Sequence, residues 1–434
     1  MILSTQQFIE KLALSVPGDI VGQPINCGTG LYDETPEKGS ENDSFMLVTE
    51  HVTRPDFADF IAEIENKGGK KGFYRELYGN IFAEFEFNGD LLYTYYTAET
   101  RTARIILDTV SVPLAGFEYE RKTDTRDDSA IMQFSLKYGT MIGGYSCDCG
   151  MLYAIRLRDN SLIIIDGGEK EQATDEALAE LITRLYDLAG LDRSEKLHVS
   201  MWIGTHNHDD HMDVFIKLMR LLEGRMTLDR VMFNFPSETL MGRGNPNINL
   251  FKERIRRYFP DVMFLKPHTG QKFDIPHGNI EILSTHEDIL PRSPYAENGR
   301  TYQGMNESTT VFKIEFDESS IIFLGDAEET NGEALTTLYG KNLLASYYLQ
   351  CAHHMINDDR NIYAVIKAEK LLIPQCRYIS GLRNCENTNY LTALFGAENM
   401  YYAGDCTYVF TVRNGKEKVS MFEQKGYFYD GSEL

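Results

Sequence analysis

The stretch THNHDDHMD, residues 205–213, places three histidines and three aspartates within nine positions. It follows the apolar run LHVSMWIG, which is typical of a strand buried on both faces. Imidazole nitrogens and carboxylate oxygens are zinc ligands. Alternate residues of a tight loop can turn toward one ion while the next pair binds a neighbouring ion. Histidines clustered by chance would not account for the buried strand before them. The stretch therefore predicts a metal site, with room for two ions, at the end of a strand.

Three other predicted strands end in side chains of the same kind. SLIIIDGG ends at Asp166, SSIIFLGDA ends at Asp326, and ASYYLQCAHHM ends at His353 and His354. Helical patterns alternate with these strands, the clearest from about Asp175 to Ala189. Open sheets usually build their sites at the C-terminal ends of strands, so we expect these side chains to meet.

The length of 434 residues predicts two domains. Thr53 and Asp56 form the pattern of a capping box before a short amphipathic helix, and the runs IFAEFEF, LLYTYY and ARIILD read as strands of one sheet packed against it. The polar run ERKTDTRDDS, residues 120–129, is the predicted linker. We therefore expect an N-terminal α+β accessory domain over residues 1–128 and a second domain over residues 129–434.

The charge balance limits the partners of the chain. The net charge of −22, from 43 basic and 65 acidic residues, argues against a general surface for nucleic acid or anionic membrane, although a local basic groove stays possible. The N-terminus has no basic segment before its apolar residues, and no apolar run is long enough to span a membrane. The sequence thus predicts a cytoplasmic chain without membrane contact, acting on a small-molecule or phosphodiester substrate.

At these motifs the chain resembles the metallo-β-lactamase-fold hydrolases. THNHDDH matches their H-x-H-x-D-H signature, IIIDGG is similar to the segment of their first aspartate, and FLGDA to that of their later bridging aspartate. NESTTVFKIEFDESSIIFLGDAEE followed by LQCAHHM is most similar to the hydrolase domain of bacterial DNA-uptake channel proteins of the ComEC type and to phosphorylcholine esterases. The resemblance covers roughly residues 131–410. It implies an αββα sandwich, two sheets flanked by helices, beside the smaller N-terminal α+β domain.

The resemblance also implies two metal sites that share an aspartate. The first ion would be bound by His206 and His208, the second by Asp210 and His211, and both by Asp326. One residue of the adjacent histidine pair would complete the second site. Here His354 is the preferred ligand, and His353 is the preferred substrate-facing acid or hydrogen-bond donor.

Other residues are assigned supporting roles by the same resemblance. Asp166 would orient the ligand loop rather than bind metal, although an aspartate before two glycines is equally typical of a turn. Many members of the family carry a further histidine before the bridging aspartate, and His286 is the best-placed candidate for it. His268 and His277 look like turn residues. Asn306 and Ser308 would position substrate, or would cap a turn before the next strand.

The predicted activity is that of a metal-dependent hydrolase. Zinc is the expected metal, with manganese or iron as alternatives, and two ions would lower the pKa of water to about 7 and stabilise an oxyanion. Asp210 could accept the proton from that water. The substrate would be a phosphodiester or another small ester. A di-iron redox protein on the same fold is an alternative, although such proteins usually carry glutamate where this chain has His208. A metal-binding protein without turnover is a second alternative.

Overall fold

The computed structural model describes most of the chain. The described residues are 4–29, 43–108, 119, 123–135, 141–142, 145–146, 150–169, 174–241, 246–356, 359–377, 380 and 385–422. Among them, no helix combines the length and the apolar character that crossing a lipid bilayer requires.

The N-terminal part contains one antiparallel sheet of six strands in the order β1-β2-β6-β5-β4-β3. Its strands are β1 (Asp19–Thr29), β2 (Asp43–Glu50), β3 (Lys70–Leu77), β4 (Asn80–Phe87), β5 (Asp90–Thr97) and β6 (Thr102–Asp108). Helices α1 (Thr5–Leu12) and α2 (Arg54–Asn66) pack against one face through an apolar cluster. The capping box predicted at the start of α2 is present, because the Thr53 and Asp56 side chains accept hydrogen bonds from each other's backbone N–H groups.

The remaining chain forms two larger sheets. The first has the order β15-β14-β12-β11-β10-β7-β23-β24, with β13 paired to β12. Its strands are β7 (Ala130–Gln133), β10 (Leu152–Arg156), β11 (Leu162–Asp166), β12 (Leu197–Ile203), β13 (Met226–Leu228), β14 (Arg230–Met232), β15 (Met263–Leu265), β23 (Thr407–Arg413) and β24 (Lys416–Phe422). Two short strands, β8 (Met141–Ile142) and β9 (Tyr145–Ser146), pair separately.

The second sheet follows chain order from β16 to β22. Its strands are β16 (Lys272–Ile275), β17 (Gly278–Ser284), β18 (Val311–Phe316), β19 (Ser319–Phe323), β20 (Leu344–Gln350), β21 (Ile366–Ile373) and β22 (Met400–Tyr402). The helices between the strands are α3 (Asp175–Ala189), α4 (Asp213–Leu221), α5 (Glu238–Met241), α6 (Pro246–Tyr258), α7 (Glu329–Tyr339), α8 (Arg360–Ala364) and α9 (Cys385–Phe395).

The two sheets pack face to face, with helices outside. In β11, Leu162 and Ile164 belong to the cluster shared with α3 and α4, whereas Ile163 and Ile165 belong to the cluster between the sheets. Both faces of the strand are therefore buried, which explains why its apolar run is continuous instead of alternating. Helices α7 to α9 cover the outer face of the second sheet, together with the second face of the N-terminal sheet. The predicted αββα sandwich is confirmed by this layering.

The N-terminal sheet is larger than the three predicted runs, which correspond to β4, β5 and β6. Strand β1 contains Pro24, and its register with β2 shifts twice. A strand interrupted in this way shows no regular alternation of apolar and polar residues, which is why its sequence did not indicate a strand. Strand β3 is a largely exposed edge strand rich in charge. Between Asp108 and Ala130, most residues, including part of the predicted linker, lie outside the described ranges. The boundary after residue 128 therefore stays a prediction.

Candidate metal centre

Loops at the ends of three strands carry the predicted ligands to one place. The loop after β12 carries His206 to His211, the turn after β19 carries Asp326, and a 3₁₀ turn after β20, Ala352–Met355, carries His354. The loops are tied together by backbone hydrogen bonds: His353 N–H donates to Gly325 O at 3.0 Å, and Thr310 N–H donates to Thr205 O at 2.9 Å. The centre therefore lies where the ends of both sheets meet.

Two overlapping groups of ligand atoms result, and the atoms of each group lie within 4.8 Å of one another. The first group consists of His206, His208 and Asp326. The second group consists of Asp210, His211, Asp326 and His354. His206 Nε2 lies 3.8 Å from Asp326 Oδ2, and His211 Nε2 lies 3.1 Å from Asp326 Oδ1, so each oxygen of this carboxylate faces one group. The sequence-predicted ligands are thus all brought together.

The residues fit a divalent cation by a test that is independent of the resemblance. His211 Nε2, Asp326 Oδ1 and His354 Nε2 are buried and form no hydrogen bond of good geometry among the described residues, although they face one another and Asp210 Oδ2 at 2.9–3.5 Å. Leaving a buried polar atom unsatisfied costs about 1–3 kcal/mol, and more when the group is charged. Three such atoms converging on one point are explained by a metal ion that supplies their missing partner.

Asp166 fixes the histidine nearest to the shared aspartate. Its Oδ2 lies 2.6 Å from His211 Nδ1, and it accepts hydrogen bonds from Thr205 N and Oγ1, both at 2.8 Å. The Trp202 indole donates to its backbone oxygen at 3.0 Å. Because a carboxylate holds a proton on Nδ1, Nε2 of the His211 ring is the nitrogen whose lone pair a metal can take by displacing its proton. Asp166 also has a positive φ of 56°, so it serves as a turn residue too.

The adjacent histidines His353 and His354 have different surroundings. The His354 ring is buried, with Nδ1 2.8 Å from Pro374 O and Nε2 2.9 Å from Asp210 Oδ2. The His353 ring is 23% exposed, and its Nε2 lies 3.9 Å from Asp326 Oδ2. Both residues have left-handed backbone conformations, with φ of 45° and 49°. Non-glycine residues pay a conformational cost for such angles, and they cluster at functional sites. This geometry turns the two rings in different directions.

A glycine keeps the bridging loop close to the ligand loop. Gly325 has a φ of +52°, and a Cβ atom there would lie 2.8 Å from both Thr205 Cβ and Thr309 Cγ2. The Gln350 side chain accepts hydrogen bonds from Leu324 N and Gly325 N at 2.8 and 2.6 Å. A side chain at position 325 would therefore push Asp326 away from the histidines.

The electrostatics of the first group favour neutral histidines. Burial lowers the pKa of His206 well below its usual value, and the neighbouring His211 lowers it further. Burial also lowers the pKa of His208. Both rings are therefore uncharged at neutral pH, and an uncharged ring offers a lone pair to a cation.

The acids of the centre are ionised. Burial alone would raise the pKa of Asp210 and Asp326, but His211 and His354 outweigh it and hold both values below the usual range. Burial would likewise lower the pKa of His211, but Asp326, Asp210 and Asp166 together raise it to about 10. The buried carboxylate of Asp326 and the partly exposed one of Asp210 together make a strong site for a cation, which competes with the histidine protons.

Two of the further candidates are not part of the centre. His286 does not provide an extra ligand, because its ring is buried between Tyr302 Oη, at 2.7 Å from Nδ1, and Asn234 Oδ1, at 2.9 Å from Nε2. Ser308 does not face a substrate, since it is fully buried and its Oγ donates to Met305 O at 2.6 Å. Ser308 thus has the turn-capping role that was the alternative in the sequence.

Asn306 does reach the edge of the centre. Its Nδ2 donates to Glu328 Oε1 at 2.8 Å and lies 3.1 Å from His353 Nε2. Glu328 Oε1 is also 3.5 Å from His353 Nδ1. Glu328 was not predicted from the sequence, although an acid two positions after the bridging aspartate was a possible signal.

A second buried polar cluster was also missed. His268, read as a turn residue, is fully buried between Glu287 Oε2, at 2.9 Å from Nδ1, and Asp108 Oδ2, at 3.1 Å from Nε2. Asp108 belongs to the N-terminal sheet, so this cluster joins the N-terminal sheet to the sandwich. His277 is the turn residue that was expected, since it lies between β16 and β17.

Known proteins resemble this chain in structure but not in sequence. No family model and no curated protein matches the sequence. Similar solved structures include the metallo-β-lactamase-fold protein YhfI from Bacillus subtilis, with 14% identity and a TM-score of 0.37 over 66% of this chain and 100% of that one. Zn²⁺-bound PqqB from Methylobacterium extorquens has 11% identity and a TM-score of 0.38, over 64% and 99%. CmlA, a diiron β-hydroxylase from Streptomyces venezuelae, has 10% identity and a TM-score of 0.35, over 86% and 78%. At these similarities, the fold assignment rests on the packed sheets and helices described above.

Proposed function

We propose that the chain is a metal-dependent hydrolase that binds two zinc ions and cleaves a phosphodiester or another small ester. The observation that carries the proposal is the pair of ligand groups that share Asp326. His206, His208 and Asp326 would hold the first ion, and Asp210, His211, Asp326 and His354 would hold the second. Manganese or iron are the alternatives to zinc for these nitrogen and oxygen ligands.

The number of ligands in the first group supports catalysis over a structural role. Structural zinc sites have four protein ligands, whereas catalytic sites have three and keep a position for water or substrate. The first group contains three residues among those the structure describes. When bound, paired divalent cations supply a nucleophile from water at neutral pH and stabilise negative charge that develops on a substrate oxygen.

The chain's own residues have three tasks in this proposal. Asp210, ionised and 26% exposed, could accept a proton from the attacking water. His353 reaches the edge of the centre from its partly exposed position and can donate a hydrogen bond or a proton to the leaving oxygen. Glu328 Oε1 faces Nδ1 of the His353 ring and Asn306 Nδ2 lies against Nε2, so the two residues fix its orientation, and Nε2 would donate to a substrate that replaces Asn306.

A phosphodiester is the preferred substrate class. Its two free oxygens can each face one cation, which a carboxyl ester or a β-lactam does not offer. His268, His277 and His286 all have partners away from the centre, so the interval before Asp326 adds no third histidine to the first group. The motif resemblance to the ComEC-type and phosphorylcholine-esterase branch supports placing the chain in that branch, and we propose that it belongs there. His208, in place of glutamate, weighs against a di-iron redox protein.

The proposal is tested by measuring metal content and turnover on the same preparation. Protein freed of metal and reconstituted with zinc or manganese is offered bis-p-nitrophenyl phosphate, a p-nitrophenyl carboxyl ester, a lactone and a β-lactam. We expect phosphodiester cleavage that is lost on chelation and in Asp326→Asn. Iron with oxygen consumption would support the di-iron alternative, and metal without turnover would support a binding protein. Lactone or β-lactam cleavage without phosphodiester cleavage would contradict the substrate class.

A further inference from the structure

One wall of a cavity beside His353 is formed by a segment that crosses from the N-terminal sheet to the metal centre. We call residues 287–308 the wall segment. It contributes Tyr295, Gln303 and Glu307 to a cavity of about 590 Å³ that His353 also lines. The rest of the cavity is lined by residues 328–330 at the start of α7 and by residues 356 and 359–361. A substrate that reacts at the metal centre has this cavity available for the part that does not react.

The wall segment is held at its second end by side chains close to the centre. Glu307 accepts hydrogen bonds from Ser293 Oγ at 2.6 Å and from Gln303 N at 2.6 Å, which closes the segment on itself. Thr330 Oγ1, on α7, lies 3.3 Å from the same carboxylate. Asn306 then contacts His353. The position of the segment therefore sets both the cavity wall and the hydrogen bond on His353.

At its first end, the wall segment is held by two residues of the N-terminal sheet. Arg104, on β6 and only 8% exposed, donates from Nε to Glu287 O at 2.9 Å and from Nη2 to Asp288 O at 2.6 Å. Its Nη2 also reaches Leu290 O at 3.4 Å. Tyr95, on β5, donates from Oη to Asp288 Oδ1 at 2.8 Å. One guanidinium thus binds three carbonyl oxygens where the chain leaves its 3₁₀ turn, His286–Ile289.

We propose that Arg104 and Tyr95 are positioning residues for the metal centre: they hold the wall segment in the place that shapes the cavity and keeps Asn306 against His353. The N-terminal sheet is then a working part of the site rather than an accessory domain. This inference rests on the proposed hydrolase function for its kinetic consequence, but its structural consequence can be measured without turnover. A misplacement of about 1 Å in catalytic groups can cost about 10²-fold in rate.

The test compares Arg104→Met with Arg75→Met, which changes another arginine between the N-terminal sheet and the sandwich. Arg75, on β3, binds Glu281 Oε1 at 2.7 Å and lies 3.5 Å from Gly270 O, and none of these contacts is with the wall segment. We expect Arg104→Met to lower kcat/KM for bis-p-nitrophenyl phosphate roughly 10- to 100-fold with its metal content unchanged. Arg104→Lys should recover part of the loss, and Arg75→Met should keep wild-type kinetics even if it is less stable.

Hydrogen exchange measured by mass spectrometry provides the readout that is independent of activity. In Arg104→Met, amide exchange should become faster in residues 290–304 while peptides of β19 and β20 are unchanged. Tyr95→Phe removes one hydroxyl and keeps the ring, so exchange in the same residues should become faster by a smaller factor. This variant replaces Arg104→Met in the test if Arg104→Met does not fold. Unchanged exchange in both variants, or an equal change in Arg75→Met, would overturn the inference. A wild-type protein that cleaves no ester would contradict the proposed function but not this inference. The exchange measurement would still decide whether residues of the N-terminal sheet hold the wall segment in place.

Discussion

The Asp166 carboxylate lies 2.6 Å from Nδ1 of His211, on the side of the ring opposite to Nε2, which faces Asp326. Asp166 is fully buried and has no ligand atom in either metal-binding group. We therefore expect it to act on the candidate centre through the ring that it contacts. This relationship predicts a loss of metal affinity from a residue that does not touch the metal.

Asp166→Asn should weaken metal binding by about 10- to 100-fold, as is common for the outer partner of a ligating histidine. In this variant the amide oxygen can still accept the hydrogen bond from Thr205 N. The amide N–H₂ group cannot accept a hydrogen bond from His211 Nδ1–H, so the ring loses its fixed tautomer. Zinc affinity measured by competition with a chromogenic chelator checks this. The matched control is Asp229→Asn, which alters another aspartate–histidine pair, at 2.7 Å from His198, away from the centre. Equal affinities for Asp166→Asn and wild type would contradict the assigned role.

Asp326→Asn and His206→Ala should affect metal content differently. Asp326 belongs to both ligand groups, so its loss removes a charged ligand from both sites, whereas His206 belongs only to the first group. Elemental analysis after reconstitution with excess zinc should give two ions per chain in the wild type, one in His206→Ala and fewer than one in Asp326→Asn. A wild type with a single ion would contradict the two-metal proposal but not hydrolysis by one ion.

The convergence of the candidate metal ligands could be predicted because the relevant information is local. His206, His208, Asp210 and His211 lie in one loop after a strongly apolar strand, and Asp326 follows another such strand. Strand ends in an open sheet converge by topology, so no tertiary contact had to be known. His286 shows the limit of that reasoning. It also follows a strand, but its ring is turned toward Tyr302 and Asn234, and no sequence pattern gives the direction of a side chain.

Contacts between distant parts of the chain could not be predicted. The partners of His268 are Glu287, 19 positions away, and Asp108, 160 positions away. The local sequence KPHTG indicates a turn and contains no sign of two buried carboxylates. Likewise, Arg104 is one charged residue in the strand TARIILD, and its three carbonyl partners lie more than 180 positions later. These contacts depend on how the N-terminal sheet packs on the sandwich, which periodicity does not encode.

His268 should make the stability of the protein depend on pH. Burial would lower its pKa, but Glu287 and Asp108 outweigh burial and raise the pKa to about 9 from an ordinary 6.5. Because the folded pKa is raised, the stabilisation is complete below pH 6.5 and is lost as the pH rises from 6.5 through 9. A shift of this size corresponds to about 3 kcal/mol in the free energy of unfolding.

The contribution of His268 is isolated by comparison with His268→Gln, because other groups nearby also titrate. Burial would raise the pKa of Glu287, but His268 and Lys266, whose Nζ lies 4.0 Å from Oε1, lower it to about 2. The titration of Glu287 therefore changes the stability only below pH 4.5. Burial lowers the pKa of His286 to about 3, which changes the stability below pH 6.5. Urea unfolding at pH 6.5 and pH 9.5 should show a difference between wild type and His268→Gln that shrinks at the higher pH. A difference that is independent of pH would contradict a charged His268.

His353→Ala and His354→Ala should separate the roles of the two adjacent histidines. His354 belongs to the second ligand group and is fixed by Pro374 O, whereas His353 is partly exposed and contacts Asn306 and Glu328. We expect His353→Ala to keep both metal ions and to lower kcat for the phosphodiester by about 10²- to 10⁴-fold, the usual contribution of a general acid. His354→Ala should instead lose the second ion, as measured by elemental analysis, and regain activity in part at high zinc concentration. If His353→Ala is the variant that loses metal, then His353 is the ligand and His354 is not. If both variants keep two ions and full activity, neither histidine serves the centre, and the proposed second site is wrong.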